Sequence, residues 1–192
     1  MEYAIVFFPL LGSIISGFFG KKLGSKLSLI LASTFVSISA ILSIFIFYEV
    51  FSQDYHSNKL IYNWISSGTF SVNWSINIDP LTSVMLLVVS LISSIIHFYS
   101  IGYMSRDPDK PRFIAYLSLF TFSMLTLVTA DNFLQLFFGW EGVGLCSYLL
   151  IGFWYKKPSA NAAAIKAFIV NRVGDFAFAI GIFLIFFFYG TV

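Results

Sequence analysis

Charged residues are scarce in this chain: Asp, Glu, Lys and Arg together make up 10% of its 192 residues. A soluble domain has about 25% charged residues, so this sequence lacks the polar surface that a water-exposed fold needs. Hydrophobic residues instead make up 58% of the chain, and the mean hydropathy is +0.88. The sequence therefore predicts an integral membrane protein.

Several other features are missing, and each absence excludes a class of site. Cys146 is the only cysteine, which excludes a disulfide framework, a cysteine-based zinc site and an iron–sulfur cluster held by this chain alone. No P-loop and no G-x-G-x-x-G after a predicted strand is present, so no nucleotide site is indicated. The net charge of +2 is too small to indicate binding of nucleic acid. The candidate functional residues therefore lie in the apolar segments.

Long apolar runs divide the chain into six segments that could each cross a membrane. A spanning helix needs about 20 apolar residues, and four runs without any charge come close to or exceed that length. The fifth run is interrupted only by Glu141, and the sixth contains Lys166, Arg172 and Asp175. The predicted spans are 3–20, 27–48, 80–105, 113–130, 132–155 and about 163–189. The predicted fold class is all-α, a polytopic transmembrane helix bundle of about six spans with an outer loop at 51–79.

The distribution of Lys and Arg predicts the orientation of the bundle. The first, third and fifth connecting segments contain Lys21, Lys22, Lys26, Arg106, Lys110, Arg112, Lys156 and Lys157, whereas the second and fourth contain only Lys59. By the positive-inside rule the odd segments face the cytoplasm or matrix, and both termini lie on the periplasmic or intermembrane side. The first span is too long for a signal peptide and has no cleavage site, so we expect it to be retained. The clean charge split favours a bacterial plasma membrane over the mitochondrial inner membrane.

Glu141 is the main candidate site residue, because an ionisable side chain inside a membrane is costly unless it is paired or hydrated. At 1.5 Å per residue it lies about 13 Å from the outer end of the fifth span, near the bilayer centre. One interpretation is a structural carboxylate that is hydrogen-bonded to neighbouring helices. The other is a proton-relay site, in which a partner that moves or titrates switches the carboxylate between holding and releasing a proton. The second interpretation is favoured.

Four further residues form the predicted surroundings of this site. Arg172 and Asp175 are neighbours on one helical face and can pair with each other, which favours a structural or field-setting role over proton carriage. Lys166 can extend its ammonium to the interface. His97 is a candidate relay member because its ordinary pKa lies in the working range, although a hydrogen-bonded packing role is the more common one.

The segment 137–154, FFGWEGVGLCSYLLIGFW, resembles the signature of one protein family. That family is the largest antiporter-like membrane subunit of proton-pumping NADH:quinone oxidoreductase (respiratory complex I), called subunit L in bacteria and subunit 5 in mitochondria. Supporting matches are IHFYS at 96–100, KAF at 166–168 and NRVGD at 171–175. The resemblance covers essentially the whole chain.

The resemblance implies a subunit that moves protons without redox chemistry of its own, while other subunits bind NAD, FMN, iron–sulfur clusters and quinone. Its partners would be the other membrane subunits of complex I and the lipid bilayer, with no nucleic acid. In the family the glutamate at the position of Glu141 pairs with a lysine on a later helix. Because family members are longer, we expect accessory helices at 1–112 and a truncated start of the antiporter-like proton-translocation repeat at 113–192.

Two alternatives to a complex I subunit stay open. The chain could instead belong to a multisubunit cation/proton antiporter, whose activity would depend on sodium and not on NADH. It could also be a structural remnant that inserts into the membrane but conducts nothing, in which case replacing Glu141 with Gln would leave proton movement unchanged.

Overall fold

The computed structural model describes residues 1–68 and 70–192 and contains six helices and one β-hairpin. The helices are α1 (Glu2–Leu23), α2 (Ser25–Gln53), α3 (Pro80–Tyr103), α4 (Lys110–Val128), α5 (Phe133–Ile151) and α6 (Pro158–Tyr189), and the strands are β1 (Ser57–Ser67) and β2 (Phe70–Ile78). All six helices are long and apolar enough to cross a membrane. The predicted all-α fold class with six spans is confirmed.

The helices pack in a chain of neighbours rather than around one centre. α1 packs against α2 and α4, α2 packs against α3, and α4 also contacts α2 and α3. These four helices form a bundle, to which α5 is attached through α4 and α6 through α5. Consequently α6 is the least covered helix: 11% of its most apolar 18-residue window is buried, against 44% for α2.

The helix ends differ from the predicted spans at several places, and two of these differences have a local cause. A single residue, Gly24 with φ 85°, separates α1 from α2, so Lys21, Lys22 and Lys26 belong to helix ends and not to a loop. Helix α6 begins at Pro158, five positions before the predicted start. A count of apolar residues delimits a span, whereas proline in the first turn and the alanines after it allow the helix to begin earlier. The proposed division of the chain at residue 112 stays a prediction.

The predicted outer loop folds as an antiparallel hairpin, which the sequence analysis did not anticipate. The strands pair from Ser57 with Ile78 to Ser67 with Phe70, and β1 carries two register shifts. Thr69, inside the predicted loop, lies outside the described residues. The hairpin closes the main apolar core, because Ile76 and Ile78 are buried against α1, α2, α3 and α4. The other members of this cluster are Ile5, Val6, Ile46, Val50, Leu86 and Leu125.

Amide side chains hold the hairpin onto the turn between α4 and α5. The side chain of Gln135 is buried, accepts a bond from the Ser75 backbone N–H at 3.1 Å and donates to the Ser75 carbonyl at 2.7 Å. Asn132 caps α5 by accepting from the Gln135 N–H at 2.8 Å and donates to the Asn73 carbonyl at 2.7 Å. Because one Gln amide satisfies both polar groups of a strand residue, the start of α5 is fixed to the hairpin.

Candidate functional site

Two glycines determine which way Glu141 faces. A Cβ atom on Gly139 would lie 2.7 Å from the Leu127 backbone, and one on Gly142 would lie 2.8 Å from Ser123 Oγ. These two positions therefore pack against α4 at backbone distance, as small residues do in membrane helix pairs. Glu141 lies between them in sequence and is directed to α6 instead. It is the ninth residue of α5, about 12 Å from the start of that helix.

Arg172 on α6 is the partner of Glu141. Its Nη1 atom donates to both carboxylate oxygens, at 2.7 Å to Oε1 and 2.6 Å to Oε2. The same Nη1 lies 3.5 Å from Asp175 Oδ2. Its guanidinium also lies 4.6 Å from the centre of the Phe168 ring, a cation–π contact. One guanidinium is thus shared between two carboxylates. Its contact with Asp175 is the pairing that the spacing on α6 predicted.

Asp175 is held independently of Arg172. It is 4% exposed, and Trp140 Nε1 donates a hydrogen bond of 2.8 Å to its Oδ1. Trp140 also packs edge-on against Phe178. The indole therefore fixes the buried carboxylate of Asp175, and Arg172 can bind Glu141. With all three groups ionised, two carboxylates face one guanidinium, and the cluster has one excess negative charge that a single proton would neutralise.

The helices of this chain cover the Glu141 pair only in part. In this chain the Arg172 side chain is 49% exposed and the Glu141 side chain 28%. A cavity of about 360 Å³ lies between α4, α5 and α6; Glu141 and Arg172 do not line it, but Phe168, which contacts Arg172, does. Polar groups of Ser147 and Asn171 line it together with Trp140 and Gly144. Most of the lining is apolar, and Ser147 and Asn171 supply polar partners of the kind that a bound water needs.

Lys166 is not brought to this cluster. It is exposed on α6 and, among the residues that the structure describes, makes no hydrogen bond or ion pair. Neither is any group of three His, Cys, Asp or Glu side chains within 1–68 and 70–192 arranged to hold a metal ion.

His97 lies on the far side of α4 from Glu141. It is fully buried on α3, where its Nδ1 donates to the Ser93 carbonyl at 2.8 Å, so that its Nε2 accepts from Ser118 Oγ at 3.0 Å in the neutral ring. Ser118 and Thr121 of α4 face α3, whereas Ser123 and Leu127 of the same helix contact α5. The structure therefore places His97 in a separate hydroxyl-rich contact and not in the Glu141 cluster.

The sequence analysis missed a second buried carboxylate, Glu2, at the opposite end of the molecule from the basic helix ends. Glu2 is 3% exposed and accepts bonds from Tyr55 Oη at 2.6 Å and Ser57 Oγ at 3.3 Å. Lys59 Nζ lies 3.2 Å from its Oε1. The hydrogen bond from Lys59 to Glu2 raises the pKa of that lysine above its ordinary value. No sequence signal marks Glu2, because it lies at the edge of a span and its partners come from the hairpin.

Comparison with known families gives two matches along this chain. Residues 64–114 match the family described as NADH-ubiquinone oxidoreductase (complex I), chain 5 N-terminus. Residues 130–192 match the transmembrane family described as NADH:quinone oxidoreductase/Mrp antiporter. The second match contains Glu141, Arg172 and Asp175.

Curated relatives extend the similarity to the whole chain. The chain is 55% identical over 184 residues to NADH-quinone oxidoreductase subunit L of Rickettsia bellii, covering 96% of this chain. It is 57% identical over 192 residues to NADH-ubiquinone oxidoreductase chain 5 of Triticum aestivum, and equally to that of Arabidopsis thaliana. The chain spans about 29% of the length of these relatives, and the sequence analysis identified it as their N-terminal part.

Solved structures share the fold at low sequence identity. A chain of the Mrp complex from Dietzia sp. DQ12-45-1b superposes with a TM-score of 0.83 at 22% identity, over all of this chain and 20% of that one. A chain of the membrane-bound sulfane sulfur reductase, an archaeal respiratory membrane complex, gives 0.82 at 17% identity, over 99% of this chain and 38% of that one. These likenesses show a common arrangement of helices.

Proposed function

Because the chain belongs to the subunit L and chain 5 family of complex I, whose N-terminal part it matches, we propose that it contributes to proton translocation coupled to electron transfer from NADH to quinone. In this proposal the chain is a non-redox membrane subunit, and NAD, FMN, iron–sulfur clusters and quinone are bound by other subunits. Its partners are those membrane subunits and the surrounding lipid. It lies in a bacterial plasma membrane or a mitochondrial inner membrane, with its basic helix ends towards the cytoplasm or matrix.

The observation that supports this role is the sharing of Arg172 between Glu141 and Asp175. When Glu141 is ionised, its two oxygens hold the guanidinium at 2.6 and 2.7 Å. When Glu141 takes up a proton, this attraction is weakened, whereas Asp175 keeps its charge beside the same Nη1 atom at 3.5 Å. Uptake of one proton is thereby linked to a shift of Arg172 towards Asp175, because charges inside a membrane remain paired wherever they can. Glu141 is the proton-binding residue of this proposal.

The decisive test is the ratio of protons translocated to NADH oxidised by the complex that contains this chain. We expect Glu141→Gln to lower that ratio at least several-fold while the complex still assembles on a native gel. Glu49→Gln is the matched control, because it also removes one carboxylate from a membrane helix but, within the described ranges, Glu49 makes no ion pair or hydrogen bond. An unchanged ratio in Glu141→Gln with normal assembly would favour the structural remnant and overturn the proposal.

A second candidate function is a subunit of a cation/proton antiporter. The fold shared with the Mrp complex and the family match at residues 130–192 favour it. Proton movement that requires sodium and continues without NADH would indicate this function. Movement that stops when NADH is withdrawn would exclude it.

A further inference from the structure

A groove between α1 and α4 has the features of a lipid site, and it does not depend on the proposed function. It is a cavity of about 760 Å³ whose walls are mostly apolar, including Leu10, Ile14, Phe18 and Leu119. Phe18 is 80% exposed and stands at the rim, whereas its neighbour in the groove, Ser16, is 1% exposed. The groove is therefore open to the membrane at the side and closed at its floor.

The floor of the groove consists of small residues. Ser13, Ser16 and Gly17 of α1 lie opposite Ala115 of α4, and a Cβ on Gly17 would lie 3.6 Å from the Ala115 Cβ. At Gly20 the two helices close up, because a Cβ there would lie 2.6 Å from the Pro111 Cβ. Small side chains thus leave an unfilled channel along a helix pair that would otherwise be packed.

The groove covers one leaflet and not the whole membrane. Its lining on α1 runs from Leu10 to Lys21, about 16 Å at 1.5 Å per residue. The hydrocarbon core is about 30 Å thick, so this length matches half of a bilayer. A membrane helix of a partner protein would need a groove across the full thickness, whereas an acyl chain needs only one leaflet.

Cationic groups line the groove at its end near the membrane surface. Lys21 lies in the last turn of α1 and Arg112 in the first turn of α4, and both line the cavity with one acidic residue, Asp109. Arg112 Nη2 is committed to the Phe153 carbonyl at 3.1 Å and to Asp109 at 3.3 Å. Its buried Nε has no acceptor among the residues described here. The Nε atom is therefore shielded from the groove, and what the lining offers a head group is one excess positive charge.

We propose that this groove binds an anionic glycerophospholipid of the leaflet at the basic end of the bundle. One acyl chain lies along Leu10, Ile14 and Leu119, and the phosphate lies at Lys21 and Arg112. The apolar part of the groove has the length of one leaflet, which fits an acyl chain. The positive charge of the lining fits an anionic head group. Basic pockets between membrane helices at this side are a known way to bind acidic lipids.

The experiment is native mass spectrometry of the purified full chain in detergent, with phosphatidylglycerol or phosphatidylcholine added at equal concentration. We expect at least about five-fold more bound phosphatidylglycerol, and a loss of about five-fold in Lys21→Gln, the factor that one basic residue near the membrane surface contributes. Lys26→Gln is the control, because it removes a lysine from the same end outside the groove. We also expect Gly17→Leu, which fills the floor, to reduce binding of both lipids, and Gly174→Leu on α6, where nothing lies within 4 Å of the added Cβ, to have no effect.

Four outcomes would overturn the proposal. Equal binding of the two lipids, or equal binding by Lys21→Gln and Lys26→Gln, would show that the basic end selects no anion. Displacement of the phospholipid by inorganic phosphate would indicate a free-anion site. Unchanged binding in folded Gly17→Leu would place the acyl chain elsewhere. Lys21→Gln and Gly17→Leu change different parts of the groove. If one of them fails to fold, the other still tests the proposal.

Discussion

Glu2 and Glu141 are both carboxylates on membrane helices, but the molecule holds them in opposite ways. Glu2 is 3% exposed and is bound by Tyr55, Ser57 and Lys59, all three from the segment that leads into and forms the hairpin. Glu141 is held by Arg172 alone, and that arginine also faces Asp175. The difference follows from packing, because Glu2 belongs to the four-helix bundle whereas Glu141 lies between the two least covered helices.

This comparison distinguishes a carboxylate that stabilises the fold from one that can change partners. Three donors occupy most of the acceptor positions of the buried Glu2 carboxylate, and removing the acceptor leaves those donors unsatisfied. A single shared donor allows the carboxylate to lose its partner at low cost, because Asp175 retains the arginine. Substitutions at Glu2 should therefore alter stability, and substitutions at Glu141 should alter proton movement.

The largest expected effect is loss of the α5 attachment in Gly139→Val. A side chain there would overlap the Leu127 backbone, which can move only if the helices separate, at a cost of about 3 kcal/mol. We expect faster tryptic cleavage after Lys156, because the neighbouring Phe153 is held by contact with Phe113 of α4. Gly174→Val, with open space around its Cβ, is the control and should be cleaved at the rate of the unmodified chain. Equal rates in the two variants would show that the glycine contact is not what attaches α5 and α6.

A smaller effect is expected in Glu2→Ala. Its loss leaves three donors without their acceptor and should lower the free energy of unfolding by roughly 2 kcal/mol. Thermal unfolding of the purified chain measures the loss, and hydrogen exchange at residues 55–60 should rise with it. Glu2→Gln should be intermediate, because an amide oxygen still accepts from Tyr55 but no longer attracts Lys59. If Glu49→Ala is as destabilising as Glu2→Ala, then the fixed role assigned to Glu2 is wrong.

The helices were predictable from sequence because in a membrane composition alone specifies them. The hairpin was not predicted, although β2 carries the signal: Val72, Trp74, Ile76 and Ile78 alternate with polar residues, which is typical of a half-buried strand. The docking of the hairpin could not be predicted. It depends on Gln135, whose two bonds to Ser75 join positions 60 residues apart.

The candidate site, like the fold, was predictable from the sequence only in part. Its charges were found because Glu141, Arg172 and Asp175 interrupt apolar runs, and spacing on α6 predicted that Arg172 could reach Asp175. The hydrogen bond from Trp140 to Asp175 was not predictable, since a tryptophan in a membrane helix usually signals only an interface. Lys166 and His97 were selected, like Glu141, because they are ionisable residues in predicted spans. The fold places both of them away from Glu141, Arg172 and Asp175.

The smallest expected effect is the pH dependence of the Glu2 pair. Its hydrogen bond to Glu2 raises the pKa of Lys59 in the folded chain, with smaller contributions from Tyr55 and Tyr3. A raised pKa means that the contribution of Lys59 to stability is complete below the ordinary lysine pKa of about 10.4 and is lost as pH rises through the folded value. Because the lysine side chain is 42% exposed, the contribution should be under about 1 kcal/mol.

Lys59→Gln should therefore unfold at a slightly lower temperature than the unmodified chain from about pH 7 to about pH 9, with the difference shrinking towards pH 11.5. The same pair of scans with Glu141→Gln added to each chain should give the same difference, since the two carboxylates share no partner. A change in that difference would mean that the contacts of Glu2 with the hairpin and the contacts of Glu141 with α6 are coupled. The distinction between a carboxylate with fixed partners and one that can change partners would then be wrong.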